Sequence, residues 1–416
     1  MAKLTSSSIV DILGAIIADE LGRLRMGDEQ LWKGRQWQSN TQIVFASKAT
    51  GDAQEVIVDS FEWMSIASRV VEFFQLDSSG LEDYLLRFST LQQWAEVIET
   101  SREDHRLDIT FCSSGSVAQV SHHRHDWMAL LAEAQFFVDF IKRHDVEIER
   151  VVSFVPPHHI YGFIFSVLIP ELLDIPAVRG LKAFSMTQAQ QLKNNDLLIG
   201  FPAAFEQFVQ MDTAFPPAAN AVCSTGPCAP AVLSTLTRNG LNSVFEVYGS
   251  TETGGVGIRN DPNQPYQLLP RWIKQGKEQL MDNLSRELID LPDSIQWHGP
   301  GLFEPLNRND EVLSICGKSV HPEAIADVIR QHPNISDARV RLNHAQESHS
   351  LKALLIADPE QRSGQAETLI AQVRTWLADK LEPHELPKRF AVRDSIPTNE
   401  LGKEIDWESQ PDLMRR

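Results

Sequence analysis

The first clear periodicity in the chain is helical. Behind Ser6, Ser7 and Ser8, the residues Ile9, Ile12, Leu13, Ile16, Ile17 and Leu24 fall largely on one face, which predicts a packed N-terminal helix. Its opposite face carries Asp11, Asp19 and Glu20, the wrong charge for a helix lying on a membrane surface. From residue 107 the order becomes strand, loop, helix, repeatedly. Residues 107–112 form a short apolar run that ends in small residues, and Asp126 then opens a helix with Trp127, Leu130, Leu131, Ala134, Phe137, Val138 and Ile141 toward a core. Residues 151–155 read as a buried strand, followed by the Pro156-Pro157 turn and an apolar helix over 162–173. Further strands are predicted at 196–201, 221–224 and 244–248, with a helix over 229–238 that stops near Gly240. This alternation implies an α/β sheet with much parallel pairing, whose ligand loops lie at strand C-termini.

After Arg308 the style changes. Strands at 312–315, 336–342, 351–357 and 390–393, with helices over 321–331 and 366–381, make a compact α+β set. The expected organisation is therefore a large α/β N-terminal domain over 1–309 and a small, mobile α+β domain over 310–416, hinged at residues 308–310.

Composition narrows the function classes. The chain has 416 residues, 42% hydrophobic and 23% charged, which is ordinary for a soluble globular protein and excludes a disordered one. A formal net charge of −18 argues against bulk nucleic-acid binding but leaves room for one local anionic ligand. Four cysteines, Cys112, Cys223, Cys228 and Cys316, are too few for a disulfide scaffold, and Cys223 and Cys228 lack a second pair at zinc-ligand spacing. No apolar run reaches the roughly 18 residues of a membrane span. The first residues lack the basic start, apolar core and cleavage site of a signal peptide, so a cytoplasmic location is expected. The sequence carries no signal for an oligomeric state.

The common nucleotide and hydrolase signatures are absent: there is no P-loop, no Rossmann G-x-G-x-x-G, no G-x-S-x-G and no H-E-x-x-H. Three other loops carry candidate chemistry. Ser113, Ser114, Gly115 and Ser116 follow an apolar strand, where backbone N–H groups and hydroxyls can approach a phosphate; a plain Ser/Gly turn is the alternative. Tyr248, Gly249, Ser250, Thr251, Glu252, Thr253, Gly254 and Gly255 place a carboxylate between hydroxyls at a strand end, a setting that suits Mg²⁺ or else makes a Gly-rich surface loop. Pro397, Thr398, Asn399, Glu400, Leu401, Gly402 and Lys403 put a lysine on a Gly-containing turn, either as a solvated charge or as a cation aimed at a developing phosphoryl charge.

The order of these motifs resembles the acyl-adenylate-forming superfamily of AMP-dependent ligases and synthetases. The likeness covers roughly residues 107–406, about three quarters of the chain. The stretch Ser113–Ser121 sits where that family's phosphate loop lies. Residues 248–252 are similar to its Y-G-x-T-E signature. Pro157, His158, His159, Ile160, Tyr161 and Gly162 resemble its gate segment, and Ser224, Thr225, Gly226 and Pro227 its acyl- and adenine-pocket loop. Asp293 precedes Arg308 at the spacing of the family's ribose-binding Asp and following Arg. Asp310 stands in its hinge motif, Gly317 in the motif beyond it, and Lys403 in its terminal P-x-x-x-x-G-K. The short region before the phosphate loop resembles the abbreviated 4-coumarate–CoA ligases associated with photoactive yellow protein maturation. One departure stands out: where the family loop closes with Gly-x-Pro-Lys, this chain has Ala118, Gln119, Val120 and Ser121, so the loop lysine is missing. His122, His123, Arg124 and His125 follow at once, either as substitute cations or as ordinary exposed residues at a helix start.

The resemblance implies ATP-dependent activation of a carboxylic acid to acyl-AMP, then transfer to the thiol of coenzyme A or of phosphopantetheine on an acyl carrier protein. It implies Mg²⁺ at Glu252, catalytic roles for Lys403, Thr251, Glu252 and His159, and ATP contacts from Ser113, Ser114, Gly115, Ser116, Tyr248, Gly249, Asp293 and Arg308. His158, Tyr161, Gly162, Gly226 and Gly254 would line the acid site, Asp310 would be the hinge, and Gly317 would line the thiol tunnel. His158, His159, Tyr161 and Phe163 suggest a flat aromatic acid of the cinnamate or benzoate type, although the same aromatic cluster is equally a piece of core. Loss of the loop lysine keeps a second possibility open, a non-catalytic homologue that binds nucleotide or acyl-adenylate. No nucleic-acid partner and no membrane span are expected.

Overall fold

The computed structural model describes residues 3–25, 32, 34–104, 108–112, 121–308, 313–315, 318–320, 322–343, 350–358, 366–378, 380–381, 385–398, 404 and 407. Ser113, Ser114, Gly115, Ser116, Asp310, Gly317 and Lys403 lie outside them, and Arg308 is described through its backbone. The chain packs as two compact units divided between Trp272 and Ile273. The expected hinge at Asp310 lies in the undescribed part of the second unit.

The larger unit opens with the helix Ser6–Leu24, capped by the Thr5 hydroxyl, which accepts the Ser8 N–H. Its inward stripe packs against the helices Ser60–Phe74 and Leu91–Asp104. The first of these begins with a capping box between Asp59 and Glu62. Strands β1 (Gln42–Phe45) and β2 (Glu55–Val58) pair in parallel beside these helices. Strands β3 (Ile109–Cys112) and β4 (His122–His125) form an antiparallel hairpin with Cys112 opposite His122 and Ile109 opposite His125. The four residues His122–His125, read from sequence either as substitute cations or as exposed residues at a helix start, are thus a strand. The helix starts just after them, at Trp127–Lys142, where the Asp126 carboxylate accepts the Ala129 N–H.

The main sheet of this unit runs β11 (Tyr266–Leu268), β10 (Gly254–Arg259), β9 (Ser243–Ser250), β8 (Asn220–Cys223), β7 (Asp196–Gly200), β5 (Arg150–Ser153) and β6 (Ala177–Arg179). The five strands from β9 to β6 are parallel, whereas β10 and β11 turn back antiparallel. Strands β7 and β8 are buried at every position and apolar after their first residues, Asp196 and Asn220, as a sheet covered on both sides requires. The helix after Pro156-Pro157 has α-helical ends, Ile160–Phe163 and Ile169–Leu173, around a π-helical turn at Ile164–Leu168, a distortion often found beside functional sites.

In the smaller unit, β12 (Trp272–Lys274), the strand in which the division falls, forms a three-stranded sheet with β13 (Gln279–Asp282) and β14 (Leu288–Asp290). Strands β15 (Asp293–Gly299) and β16 (Leu302–Arg308) make a hairpin, as do β17 (Leu313–Ile315) and β18 (Lys318–Val320). A last sheet has β20 (Ser350–Ala357) between antiparallel β19 (Ile335–Asn343) and parallel β21 (Arg389–Arg393). The helices Pro322–Arg330 and Ala366–Ala378 contribute Ile325, Ile329, Val373 and Leu377 to the core with Val340, Leu355 and Phe390. This gives a mixed α/β large part followed by a small α+β part.

Candidate functional site

The parallel strands deliver their C-terminal loops to one edge of the sheet, where open α/β sheets bind ligands. β9 ends in the loop that carries Thr251 and Glu252. A Cβ at Gly249 would lie 2.2 Å from the Gly254 carbonyl, and Gly254 has φ +70°, so both positions need glycine. The Thr253 N–H donates to Ser250 Oγ at 3.3 Å and the Ser250 N–H to Thr253 Oγ1 at 3.1 Å, which closes the turn on itself.

Two buried side chains from the neighbouring segment hold this turn from outside. His125 Nε2 lies 2.7 Å from the Thr251 carbonyl and therefore donates to it. Burial takes the His125 imidazole down to about 4, so it is neutral with its proton on Nε2. Glu133, fully buried on the Trp127–Lys142 helix, accepts the Gly255 N–H at 2.7 Å through Oε1, and Arg271 Nη1 stands 3.8 Å from Oε2. Burial pushes the Glu133 carboxyl up to about 7, against the pull of Gly255 and Arg271. The Trp272 indole N–H donates to the Gly255 carbonyl at 2.7 Å. The sequence had named His125 only as one of four residues that could substitute for the loop lysine, and had not singled out Glu133. A signal for Glu133 existed: a carboxylate three residues after Leu130 and four before Phe137, inside an apolar stripe.

Strand alternation sorts the polar run after the expected phosphate loop. His123 points at the same turn, with Nε2 3.5 Å from Glu252 Oε1 and 2.9 Å from Ser121 Oγ. Arg124 pairs with Asp108 at 2.5 Å, and His122 pairs with Glu72. Cys112 Sγ lies 3.6 Å from His122 Nδ1, so Glu72, Cys112 and His122 are close enough to share a cation. The Arg69 guanidinium, however, bonds to Cys112 and occupies the charge complement of that corner. Of the residues offered as substitutes for the loop lysine, His123 therefore has its side chain beside Glu252.

The loop after β8 has Ser224 Oγ donating to the Val247 carbonyl at 2.8 Å, and Thr225 at φ +79°. A β-branched residue in that region is strained, a state that persists where surroundings enforce it and that clusters at ligand sites. Gly226 next to it faces open space. Behind the loop, burial and the adjoining Cys228 push the Cys223 thiol up, which leaves it an inert core group.

On the third loop the rings of His158 and His159 lie 4.3 Å apart at 37°. His158 is buried, with Nε2 3.7 Å from Asp19 Oδ2, and Asp19 pairs with Arg69 at 2.5 Å. Burial would raise the Asp19 carboxyl, but Arg69 and then His158 and His159 outweigh it and hold it at about 2. A small cavity lies here, lined by Ile16, Arg69, Phe73, Thr110, His158 and His159. Tyr161 is buried, its hydroxyl 2.8 Å from the Val222 carbonyl and 3.1 Å from the Gly200 carbonyl, so it ties the ends of β7 and β8 together. A Cβ at Gly162 would lie 2.0 Å from the Pro156 carbonyl, and this contact fixes the entry to the helix. Tyr248 leans on Tyr266 at 6.1 Å, and Arg259 covers the far ring at 4.4 Å.

In the smaller unit the β15–β16 register sets Asp293 directly across from Arg308. An isolated bridge pairs Thr398 with Glu404, and Glu404 is anchored by Arg339 at 2.5 Å and Arg341 at 3.2 Å. Among the described residues, no helix is long and apolar enough to cross a membrane.

No family profile matches the chain. The 4-coumarate–CoA ligase of Cereibacter sphaeroides is 32% identical over 360 residues, covering 86% of this chain and 85% of that protein. The enzyme of the same name from Halorhodospira halophila is 28% identical over 408 residues, 97% of this chain and all of that one. Among solved structures, ATP-bound MatB from Rhodopseudomonas palustris matches with a TM-score of 0.56 at 14% identity, covering 95% of this chain and 91% of its own. O-succinylbenzoate coenzyme A synthetase from Bacillus subtilis, in complex with AMP, matches at 0.52 and 14% identity, covering 80% and 79%. At such identities the solved structures establish the fold, an adenylate-forming ligase fold. With a relative above 30% identity across most of both chains, this protein belongs to the 4-coumarate–CoA ligase family of acyl-adenylate-forming acid–thiol ligases.

Proposed function

We propose that the chain activates an aromatic carboxylic acid, of the coumarate or hydroxybenzoate type, with ATP and passes the acyl group to a thiol. In the first step a carboxylate oxygen attacks the α-phosphorus in line, the bond to the leaving pyrophosphate breaks, and acyl-AMP forms. In the second the acceptor sulfur, having given up its proton, attacks the acyl carbon and AMP leaves. Positioning and charge neutralisation supply most of the acceleration in such phosphoryl chemistry.

The observation that carries this reading is the turn at Thr251 and Glu252, held at both ends by buried side chains at the C-terminal edge of the parallel sheet. Thr251 hydrogen-bonds a phosphate, and Ser113, Ser114, Gly115 and Ser116 cup the others with Tyr248 and Gly249 nearby. The Glu252 carboxylate, 46% exposed, is the hard oxygen donor that Mg²⁺ takes. Bound there, the ion would neutralise phosphate charge. Asp293 accepts the ribose hydroxyls, Arg308 contacts the nucleotide, and Lys403 approaches the attacking and phosphate oxygens. His158, Gly162, Gly226 and Gly254 border the acid, and Tyr161 shapes that wall with its ring, its hydroxyl being committed to the sheet. His159 gates between acid and thiol. We place the mobile small domain at 310–416 with Asp310 as pivot and Gly317 along the thiol path, and the reaction in the cytoplasm, where ATP and coenzyme A are held.

The test is acid-dependent ATP–pyrophosphate exchange over a panel of aromatic and aliphatic acids, expected to peak with a hydroxylated cinnamate or benzoate. Absence of exchange with every acid would favour the non-catalytic homologue. Thioester formation with coenzyme A or a phosphopantetheinylated carrier protein then decides the acceptor.

A further inference from the structure

We infer that Glu133 is a positioning residue for the nucleotide turn, its ionised carboxylate fixing the backbone path on which Thr251 and Glu252 present their side chains. This rests on the reading of that turn as the ATP site.

Glu133 sits among Leu130, Ala134 and Phe137 on the buried face of its helix, where an apolar residue would be the stable choice. It belongs to none of the motifs that carry the chemistry. Yet its hydrogen bond goes to the turn: Oε1 takes the Gly255 N–H while Oε2 makes no hydrogen bond, and the glycine pair is cut to fit the carboxylate. A Cβ at Gly254 would come within 2.8 Å of Oε2, and one at Gly255 within 2.7 Å of Oε1. The charged group facing it is Arg271, 3.8 Å away on the segment leading into β12, and beyond Arg271 stands His125 of β4. His125 holds the Thr251 carbonyl, so the two side chains bracket Glu252 on either side.

With the carboxyl raised to about 7, the group is largely ionised at pH 8 and largely neutral at pH 6. A neutral acid accepts a weaker hydrogen bond and loses its attraction to Arg271. The sign for stability is the reverse. A carboxyl raised from 4.5 favours the folded state with its proton on, and this contribution is lost as pH climbs from 4.5 through about 7.

The experiment is ATP·Mg²⁺ binding by calorimetry from pH 5.5 to 9, with melting temperature, on the wild type and on Glu133→Gln and Glu133→Asp. In the wild type, affinity should rise about tenfold through pH 7, the ratio that a charge-assisted bond gains over a neutral one. Glu133→Gln keeps an acceptor for Gly255, should lose that step, should bind about tenfold more weakly at pH 8, and should melt higher there. Glu133→Asp, which retains the charge, should keep part of the step. A Gln variant with unchanged affinity and pH profile, whatever its melting temperature, overturns the inference alone, as does a wild type with no step. A wild type that binds no ATP at any pH overturns the nucleotide reading and the inference with it.

Discussion

Replacing Tyr161 by Phe separates two roles that the sequence leaves open for this residue, acid-site wall and core. The substitution removes one hydroxyl and nothing else. That hydroxyl lies 2.8 Å from the Val222 carbonyl and 3.1 Å from the Gly200 carbonyl, at the ends of β8 and β7. A buried hydrogen bond contributes about 1 kcal/mol net, and a carbonyl left without a donor adds about 1–2 kcal/mol. Gly200 O keeps a long bond from the Ser224 N–H at 3.4 Å, which limits the second contribution. The sum is about 1–3 kcal/mol, or roughly 2–10 °C in the melting temperature of a unit of this size. Thermal melting should register that loss, while relative exchange rates across the acid panel should stay as in the wild type. A variant that melts like the wild type but shifts its preference among acids would refute the core assignment and put the hydroxyl in contact with substrate.

Other outcomes follow from the same geometry. The His125 imidazole is held near 4 against 6.5 in the unfolded chain, so its contribution, about 3 kcal/mol, is complete above pH 6.5 and lost as pH falls toward 4; His125→Gln, which keeps a donor for Thr251, should flatten that part of a melting-versus-pH curve. Gly249→Ala drives a Cβ into the Gly254 carbonyl and should cut pyrophosphate exchange at least about 100-fold while the core strands keep their hydrogen-exchange protection; normal exchange would refute the close approach. His123→Ala removes the imidazole beside Glu252 and should weaken ATP binding about threefold to tenfold with little change in melting, whereas Arg124→Ala, whose partner is Asp108, should leave binding unchanged. Lys403→Ala should abolish adenylation and spare transfer from preformed acyl-AMP, and equal loss of both half-reactions would contradict its assigned role.

Four of the five parallel strands of the main sheet were legible because each is a short apolar run that ends at small residues or proline, whereas the three-residue β6 was missed. Strand β7 is buried at every position, and so is β8. The Thr251–Glu252 turn was legible for another reason: hydroxyls flanking a carboxylate beside glycines is a demand of chemistry rather than of packing. What escaped were elements whose pattern is set by neighbours distant in sequence. β4 reads His-His-Arg-His, which no propensity assigns to a strand, and it is one because β3 offers Ile109 to Cys112 as a ladder. From Tyr266 to Asp290 the strands have three or four residues each, too short for alternation to rise above chance. Glu133 was passed over because one carboxylate in a helix is ordinarily solvated. Only the fold brings the Gly255 N–H to it.

That last point bears on how a chain lacking the phosphate-loop lysine can still present a nucleotide turn. The turn is fixed from behind by two groups, both kept in a form that burial opposes or selects. His125 must be neutral to leave Thr251 its donor without adding charge, and burial selects that form at any pH above about 4. Glu133 must be ionised to hold Gly255 strongly, and burial opposes that form until about pH 7. The two conditions overlap only on the alkaline side of neutrality. A turn made rigid from behind shifts the burden of binding from charge to preorganised geometry. Exchange activity should therefore climb through pH 7, and salt should weaken ATP binding less in this protein than in a relative that keeps the loop lysine.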